Sequence, residues 1–322
     1  MKKKIFITGA AGFIGFHLAK ALAQRGDLVV GYDNFNPYYL PSLKRDRASA
    51  LKKEGIHVID GDVCDAKTLE EAVFSSNATH LVHLAAQAGV RYSLQNPKCY
   101  TSSNIEGFLS ILELVRKRPE IKLIYASSSS VYGLNQKAPF SEQDRTDRQA
   151  SLYGVTKKCN ELMAATYHHL FNLSVTGLRF FTVYGPWGRP DMAYFSFSEA
   201  ILQEKPIQLF NFGKMKRDFT YIDDIISGTI AAIDRESACE IFNLGGNHPV
   251  ALHTFVETLE ELLGKKAKIE FATMQAGDVP ATFADISHSQ NTLKFLPKTS
   301  LHEGLSQFVN WYLPYRENGR LR

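Results

Sequence analysis

The first 181 residues alternate between short apolar-rich runs and segments that carry a polar face. The apolar-rich runs occupy residues 4–8, 28–32, 57–63, 79–86, 121–126 and 173–181. Runs of this length are typical of strands that are buried on both faces of a parallel sheet. Helical spacing of apolar residues is found at 16–25 and 104–116, and residues 34–53 form a polar, helical crossover segment. The pattern predicts an α/β protein with a doubly wound parallel sheet.

The pattern changes after residues 184–190, where turn-forming residues cluster. Beyond them the segments are short and mixed. They predict helices at 195–202, 252–263 and 301–312, a strand at 207–210, and a helix that ends at 233 and is introduced by residues 217–224. We expect a smaller mixed lobe from Met192 onward, with residues 241–244 returning to the main sheet. A deep cleft between two lobes suits a ligand larger than a simple alcohol.

Composition and charge exclude several classes of protein. The chain has 322 residues, 44% of them hydrophobic and 22% charged, with a net charge of +4. Lys and Arg are scattered rather than clustered, so we expect no nucleic-acid partner. No apolar stretch approaches the roughly 18 residues of a membrane span, and the four cysteines have no metal-ligand spacing. We therefore expect a cytoplasmic protein with unpaired thiols, no membrane partner and no metal.

A glycine-rich turn follows the first predicted strand directly and opens a helix. Its sequence over residues 9–15 is Gly-Ala-Ala-Gly-Phe-Ile-Gly, so the glycines are three residues apart rather than in the G-x-G-x-x-G pattern. Gly9 permits the tight turn, Gly12 lets the backbone approach a pyrophosphate, and Gly15 lets the helix pack on the strand. Free N–H groups at the helix N-terminus favour phosphate. This context predicts a dinucleotide-binding site.

Asp33 ends the second predicted strand, 18 residues past Gly15. A carboxylate at this distance binds the adenosine ribose hydroxyls of a dinucleotide and repels a 2′-phosphate, so NAD is favoured over NADP. Asp62, at the end of the third run, is placed to bond the adenine amino group. The small residues at the end of the 79–86 run allow a nicotinamide ribose to lie against the backbone.

Tyr153 and Lys157 are four residues apart in a predicted helix and therefore lie on one of its faces. A nearby ammonium and a cationic cofactor both favour the tyrosine phenolate, so this pair can remove a proton from a substrate hydroxyl. Four serines, at positions 127–130, follow the fifth predicted strand. They lie at the carboxyl end of that strand, where doubly wound sheets bind their ligands.

With the glycine turn, Asp33, the serine run, Tyr-x-x-x-Lys and the Arg-Asp-Phe of residues 217–219 in this order, the chain resembles the extended short-chain dehydrogenase/reductase family. Within it the chain is most similar to the NAD-dependent nucleotide-sugar 4-epimerases. Residues 185–193 and, more loosely, 277–282 look like those of the UDP-glucuronate 4-epimerases. The resemblance implies a Rossmann-type NAD-binding domain at 1–185 and a UDP-sugar-binding lobe at 186–322, with segments around 225–250 returning to the first.

The resemblance also implies roles for individual residues. It makes Tyr153 the catalytic base, Lys157 its partner and a ligand of the nicotinamide ribose, and Ser128 the hydroxyl helper. The implied cofactor contacts are Gly9, Gly12, Phe13, Ile14, Gly15, Asp33, Asn34, Asp62, Val63, Leu84, Ala85, Ala86, Tyr153 and Lys157. The implied contacts with the UDP-sugar are Ser127, Ser128, Ser129, Thr182, Arg189, Arg217 and Asp278, of which Arg217 matches a diphosphate ligand and Asp278 lies near the uridine ribose.

The implied reaction is an internal redox cycle in which C4 of the sugar gives up a hydride and receives it back on the other face. A 4-keto uronate is a β-keto acid that loses its carboxylate readily. Related decarboxylases and dehydratases carry acids where this chain has Ser129 and Ser130. We hypothesise that residues 127–130 and Thr182 hold the carboxylate by hydrogen bonds. Arg189 is a candidate carboxylate partner or, instead, a phosphate ligand.

Several alternatives stay open at this point. The chain could be a UDP-glucuronate decarboxylase, which the serines in place of acids argue against, or a UDP-glucose/galactose 4-epimerase. A one-way reductase would consume NADH, and a non-catalytic dinucleotide-binding regulator would not need Tyr153 or Lys157. The resemblance further implies a homodimer formed through two helices of the main domain, one of them at 151–170, and a supply role for surface polysaccharide.

Overall fold

The computed structural model describes residues 2–275 and 277–321. The strands, in chain order, are β1 (Lys4–Thr8), β2 (Leu28–Asp33), β3 (His57–Asp60), β4 (His80–His83), β5 (Lys122–Ser128), β6 (Val175–Phe180), β7 (Thr182–Tyr184), β8 (Pro206–Phe210), β9 (Lys216–Tyr221), β10 (Cys239–Leu244), β11 (Pro249–Ala251) and β12 (Lys268–Ala272). The six predicted strands of the first 181 residues are all present: β1 has the predicted limits, β3, β4 and β6 are shorter than predicted, and β2 and β5 extend one or two residues further.

The helices connect these strands. They are α1 (Phe13–Arg25), α2 (Pro41–Lys53), α3 (Ala66–Ser75), α4 (Tyr92–Gln95), α5 (Pro97–Tyr100), α6 (Gly107–Lys117), α7 (Leu152–Phe171), α8 (Ala193–Leu202), α9 (Ile222–Arg235), α10 (Leu252–Leu263), α11 (Ser287–Leu293) and α12 (Leu301–Glu317). A π-helical stretch, Thr101–Glu106, precedes α6, and a short 3₁₀ helix, Ser129–Tyr132, follows β5. None of the described helices has both the length and the apolar character needed to cross a bilayer.

Seven parallel strands form the main sheet in the order β3-β2-β1-β4-β5-β6-β10. The order reverses between β1 and β4, so the connections leave this point in opposite directions and open a crevice at the carboxyl ends of the strands. The seventh strand, β10, comes from the later half of the chain and pairs in parallel with β6. The predicted α/β class with a doubly wound parallel sheet is confirmed.

Both faces of the main sheet are buried, as the apolar runs predicted. Along β1, Ile5 and Ile7 point into one hydrophobic cluster, whereas Phe6 points into a second cluster on the opposite face. Alternation of side chains along a strand produces this division. The strands therefore lie between two helical layers, and only their ends can present polar groups to a ligand.

The later half of the chain adds two small sheets, β11-β9-β7 and β12-β8. Residues 217–224 lead into a helix as predicted, because α9 begins at Ile222. The residues before it, 217–221, belong to β9, which pairs with β7 in parallel and β11 in antiparallel orientation. The buried Asp218 carboxylate accepts the N–H groups of Gly246 and Ala284 and so joins three segments. No local periodicity encodes these long-range bonds. The domain division at residue 185 stays a prediction.

Candidate active site

One deep cleft lies at the carboxyl ends of β1, β4 and β5; its empty volume, including the open space at its mouth, is about 1370 Å³. Arg189 and Met192, from the later half of the chain, form part of its wall. Most residues that the sequence marked for cofactor or catalysis line it together: Gly9, Gly12, Phe13, Ile14, Gly15, Asp33, Asn34, Val63, Leu84, Ala85, Ala86, Ser127, Ser128, Tyr153, Lys157 and Arg189.

The glycine turn is built so tightly that side chains are excluded from it. A Cβ on Gly9, whose φ is +74°, would lie 2.6 Å from the backbone nitrogen of Ala85. A Cβ on Gly15 would overlap the Gly9 carbonyl oxygen, and one on Gly12 would lie 2.9 Å from that oxygen. Helix α1 begins directly after Gly12, so its first N–H groups point into the cleft end where a pyrophosphate would be held.

We expect Gly15→Ala to abolish cofactor retention. The new methyl group must displace the Gly9 carbonyl, which shifts the turn that faces the cleft. The ratio of absorbance at 260 and 280 nm of the purified protein, with NAD titration by calorimetry, measures the effect. Gly26→Ala is the matched control, because Gly26 ends the same helix at φ +97° with open space around it. Full cofactor retention by Gly15→Ala would contradict the assignment.

Asp33, at the end of β2, lines the cleft; the residue is 7% exposed, and its carboxylate accepts N–H groups from Ala11 (3.0 Å) and Phe35 (2.9 Å). Burial raises the pKa of Asp33, and the nearby Lys44 charge opposes that shift. Asp62 is not part of the cleft lining among the described residues. Its carboxylate instead accepts the side-chain amide of Asn34 at 2.8 Å, so it orders the loop beside the cleft.

Helix α7 presents Tyr153 and Lys157 to the cleft from its first two turns. Ser151 caps this helix by accepting the Gly154 N–H at 3.1 Å, which fixes where the first turn begins. The Lys157 ammonium donates to the Ala126 carbonyl at 2.8 Å, at the end of β5. Burial lowers the pKa of Lys157 to about 8, so the side chain remains mostly charged at pH 7.

Three influences set the acidity of Tyr153. Burial raises the pKa of its phenol, whereas the Ser128 hydroxyl and the positive charge of Arg189 lower it. The sequence reasoning credited the adjacent lysine with this second effect. In the structure the charge that lowers the pKa comes from Arg189, which lies 36 positions later in the chain and reaches the cleft only through the fold.

The serines of residues 127–130 differ in their hydrogen bonds and in whether they line the cleft. The Ser127 hydroxyl donates to Glu161 Oε1 at 2.7 Å, so its hydrogen is not available to a substrate carboxylate. This geometry argues against Ser127 as a carboxylate donor and makes it a support of the loop. Ser128 lines the cleft, and its oxygen accepts the Ser130 N–H at 3.1 Å. Ser129 begins the short 3₁₀ helix and does not line the cleft.

Arg189 lies at the cleft wall with its guanidinium held by Asp191, whose Oδ1 is 3.0 Å from Arg189 Nε. Tyr38 donates its hydroxyl to the same carboxylate at 3.0 Å, and its ring lies 5.8 Å from the Arg189 guanidinium carbon. The bonds to Asp191 involve Nε and Nη2 of Arg189, and Nη1 takes no part in them. A fixed guanidinium with a further donor suits an anionic ligand group.

Thr182, Arg217 and Asp278 were predicted to bind the UDP-sugar, but none of them lines this cleft. Thr182 begins β7, and its neighbours Phe181 and Val183 are the residues that reach the cleft. Burial lowers the pKa of Arg217, and the negative charge of Asp278 opposes the shift. Asp278 also pairs with Arg91 at 3.2 Å. Arg217 and Asp278 thus lie together, in a cluster apart from the cleft.

Sequence reasoning missed the contribution of the crossover between β2 and β3, which includes the start of α2. Asn36, Tyr38, Tyr39 and Lys44 all line the cleft, although this segment was interpreted as an ordinary polar crossover. Lys44 is buried and donates to the Asn36 carbonyl at 2.7 Å. The sequence feature that could have indicated this contribution is the pair of adjacent tyrosines in a polar segment, because large aromatic side chains at polar positions often contact a ligand or an interface.

The family model described as "NAD dependent epimerase/dehydratase family" matches residues 5–245, which include every strand of the main sheet apart from the first residue of β1. The chain belongs to this epimerase/dehydratase family. The extended short-chain dehydrogenase/reductase resemblance is confirmed, and with it NAD as the cofactor. Thus the glycine turn, the serine loop and α7 of the cleft are parts of an NAD-dependent family domain.

Individual members of the epimerase/dehydratase family are similar over nearly the whole chain. UDP-glucuronate 4-epimerase 1 of Arabidopsis thaliana is 51% identical over 330 residues, covering 97% of this chain and 77% of the plant protein. UDP-glucuronate 4-epimerase 4 of the same plant is 50% identical, covering 97% and 75%. The crystal structure of UDP-glucuronic acid 4-epimerase from Bacillus cereus with UDP-glucuronic acid and NAD superimposes with a TM-score of 0.89 at 35% identity, covering 97% and 98%.

Proposed function

We propose that this protein interconverts UDP-glucuronate and UDP-galacturonate by 4-epimerisation with bound NAD. The observation that carries the proposal is the convergence of Tyr153, Lys157, Ser128 and Arg189 on one cleft that begins at the glycine turn. A proton-accepting phenol and an anion-binding guanidinium in one cavity match the needs of a uronate. The likeness to named UDP-glucuronate 4-epimerases at about half identity over the whole chain supports the same substrate.

The residues present fit the cofactor. Side chains are excluded from the turn at Gly9, Gly12 and Gly15, which leaves backbone N–H groups and the α1 terminus free for a pyrophosphate. The buried carboxylate of Asp33 lies at the adenosine end and disfavours a 2′-phosphate. When bound, NAD supplies the acceptor and later the donor of the hydride. Ala85, Ala86 and Lys157 would hold its nicotinamide end.

The chain's own residues handle the proton and the orientation of the sugar. Tyr153, as phenolate, takes the C4 hydroxyl proton and returns it at the end of the cycle. Ser128 lowers the cost of that charge because a hydroxyl can donate to a phenolate oxygen. The Lys157 ammonium, anchored on the Ala126 carbonyl, keeps a positive charge near the site. The sugar passes through a 4-ketone, which must rotate in the cleft so that its opposite face receives the returning hydride.

The carboxylate and the nucleotide would occupy opposite ends of the substrate site. Arg189 is held by Asp191 in a position to meet the carboxylate, and Tyr38 bonds the same Asp191 carboxylate, while Ser128 offers a neutral hydroxyl in the cleft. Hydroxyls restrain the acid group without removing a proton, which limits carbon dioxide loss from the keto sugar. Arg217, Asp278 and Arg91 form the polar cluster that we assign to the UDP moiety.

Product analysis tests the proposed function directly. The purified protein is incubated with UDP-glucuronate and separately with UDP-glucose, and the products are followed by NMR without added cofactor. We expect conversion to UDP-galacturonate, no change in UDP-glucose, and no carbon dioxide. A UDP-pentose with carbon dioxide would establish a decarboxylase, epimerisation of UDP-glucose a neutral-sugar epimerase, and no reaction a non-catalytic protein. Net consumption of added NADH would indicate a reductase.

We further propose a homodimer formed through α6 and α7. These helices pack against each other and carry exposed apolar side chains: Leu109 on α6 is 42% exposed, and Val155 and Leu162 on α7 are 46% and 57% exposed. Val155 and Leu162 are seven residues apart on α7 and so lie on the same face. A second copy presenting the same two helices would cover this face symmetrically, as a two-fold interface requires.

Leu162→Glu is expected to convert the dimer to a monomer. Two carboxylates would be brought into the centre of the apolar face, where desolvation is costly. Light scattering coupled to size-exclusion chromatography measures the mass. Leu296→Glu is the matched control, since Leu296 is 67% exposed and lies outside both helices. A wild-type protein that elutes as a monomer at micromolar concentration would contradict the proposal.

A further inference from the structure

Arg47, on α2, is fully buried yet has no carboxylate partner within salt-bridge distance in the part of the chain that the structure describes. All of its hydrogen bonds go to oxygen atoms of the backbone or of a phenol. Nη1 donates to the Ala11 carbonyl at 3.0 Å and to the Tyr39 hydroxyl at 2.7 Å. A guanidinium is rarely buried without a carboxylate, and here its charge is matched by several oriented carbonyl dipoles.

The Nε and Nη2 atoms of Arg47 bind a second backbone segment, residues 187–188, which is distant in the sequence. Nε donates to the Trp187 carbonyl at 3.1 Å, and Nη2 donates to the carbonyls of Trp187 and Gly188, the latter at 3.0 Å. Arg47 therefore connects the glycine turn of the cofactor site, through Ala11, to the two residues that precede Arg189. No other side chain of α2 makes a hydrogen bond to both segments among the described residues.

The segment before Arg189 has a backbone that needs such support. Trp187 has a φ of +59°, a conformation that residues other than glycine seldom adopt. His17, on α1, holds the preceding residue, because its Nε2 lies 2.9 Å from the Pro186 carbonyl. Two side chains from the cofactor-binding half, His17 and Arg47, thus fix three successive carbonyl groups at residues 186–188.

We propose that Arg47 is a positioning residue for Arg189: it fixes the 187–188 backbone against the glycine turn and so sets where Arg189 meets the substrate carboxylate. The inference rests on the proposed function, in which Arg189 binds the uronate. Because one guanidinium contacts both segments, a displacement of the glycine turn is passed to the carboxylate site. Arg47 never touches the substrate, and its effect is confined to ligands that carry the carboxylate.

The test compares two ligands that differ only at the carboxylate. Binding of UDP-glucuronate and of UDP-glucose to the NAD-loaded protein is measured by calorimetry for wild type and Arg47→Lys. A lysine keeps the charge but cannot reach three carbonyls at once. We expect the Kd for UDP-glucuronate to rise roughly tenfold and that for UDP-glucose to change less than about twofold. Equal weakening of both ligands would mean a merely structural role and would overturn the inference.

Arg45→Lys is the matched control, because Arg45 lies on the same helix but is exposed and pairs with Asp60.

A second readout follows the carbon dioxide released per epimerisation event, which we expect to increase in Arg47→Lys as the carboxylate loses its fixed orientation. If Arg47→Lys does not fold, Tyr39→Phe removes one acceptor of Arg47 while keeping its burial. Tyr39→Phe should then show the same selective loss for UDP-glucuronate in smaller measure, and equal effects on both ligands would refute the inference.

A double-mutant cycle separates this inference from the proposed function. In an Arg189→Gln background, Arg47→Lys should not change the ratio of the two Kd values any further, because it acts through Arg189. Additive effects would overturn the inference and leave the proposed function intact. If Arg189→Gln alone left the ratio unchanged, the assignment of Arg189 to the carboxylate would fail, and with it the positioning role of Arg47.

Discussion

Replacing Tyr153 by Phe is expected to lower kcat for UDP-glucuronate epimerisation by about 10²- to 10⁴-fold, the usual contribution of a general acid–base group. Burial raises the pKa of this phenol, and the Ser128 hydroxyl and the Arg189 guanidinium oppose that rise from the positions where they face it in the cleft. Removing only its oxygen leaves the ring and its packing against Tyr100 in place. Initial rates of UDP-galacturonate formation, measured by NMR or chromatography, give the size of the loss.

The affinity of Tyr153→Phe for UDP-glucuronate should stay within a few-fold of wild type, because the change removes an interaction used in proton transfer. Tyr167→Phe is the matched control: Tyr167 is on the same helix, but its hydroxyl donates to Glu113 at 2.7 Å outside the cleft. It should keep wild-type turnover. Near wild-type turnover of Tyr153→Phe would refute its role as the base.

Replacing Arg179 by Met is expected to cost about 3–5 kcal/mol of folding stability, as is typical when one partner of a buried ion pair is removed. Arg179 and Glu161 are 2% and 3% exposed, and Arg179 Nε lies 2.8 Å from Glu161 Oε1. Burial acts to raise the pKa of Glu161, but the hydrogen bonds and charge of Arg179 outweigh it and lower that pKa. Without Arg179 the buried carboxylate would keep only the Ser127 hydroxyl at 2.7 Å and the Lys158 ammonium at 3.4 Å as partners, and it would lose its buried bidentate cation.

The expected fall in melting temperature for Arg179→Met is roughly 4–7 °C, measured by thermal unfolding of the NAD-loaded protein. The matched control is Arg116→Met, whose exposed partner Glu113 lies one turn earlier on α6. Exposed pairs contribute little, so the control should melt at the wild-type temperature. Equal melting of the two variants would show that the buried pair is not a major stabilising contact. Glu161 also accepts the Ser127 hydroxyl, so a loss of activity should accompany the loss of stability.

Features that depend on short-range periodicity were predictable from the sequence. The six apolar-rich runs predicted the first six strands because alternation and burial act within a few residues. The glycine turn and the Tyr153–Lys157 pair were equally visible, since φ above zero and a four-residue helical spacing are local properties. The family likeness added the substrate class to these local signals.

Boundaries and short strands were less predictable. The third run was expected to continue to Val63, but β3 ends at Asp60, because pairing with β2 ends at Asp33. The predicted helix at 104–116 begins as a π-helix, inside which the Asn104 side chain bonds both backbone groups of Gln87. Strand β9 is extended because it pairs with two other segments, β7 and β11. Each outcome depends on contacts between distant positions.

The sequence by itself determined the parallel sheet, the glycine turn and the placing of Tyr153 and Lys157 on one helix face. The tertiary structure alone decided which charge acts on Tyr153, which serine is committed to Glu161, and that Arg47 and Arg189 belong to one connected unit. The physical reason is the distance along the chain between the residues that interact. A turn or a helix face is fixed by neighbours within a few residues, whereas a buried charge such as that of Arg47 is acceptable only where partners up to 141 positions away arrive at hydrogen-bond distance.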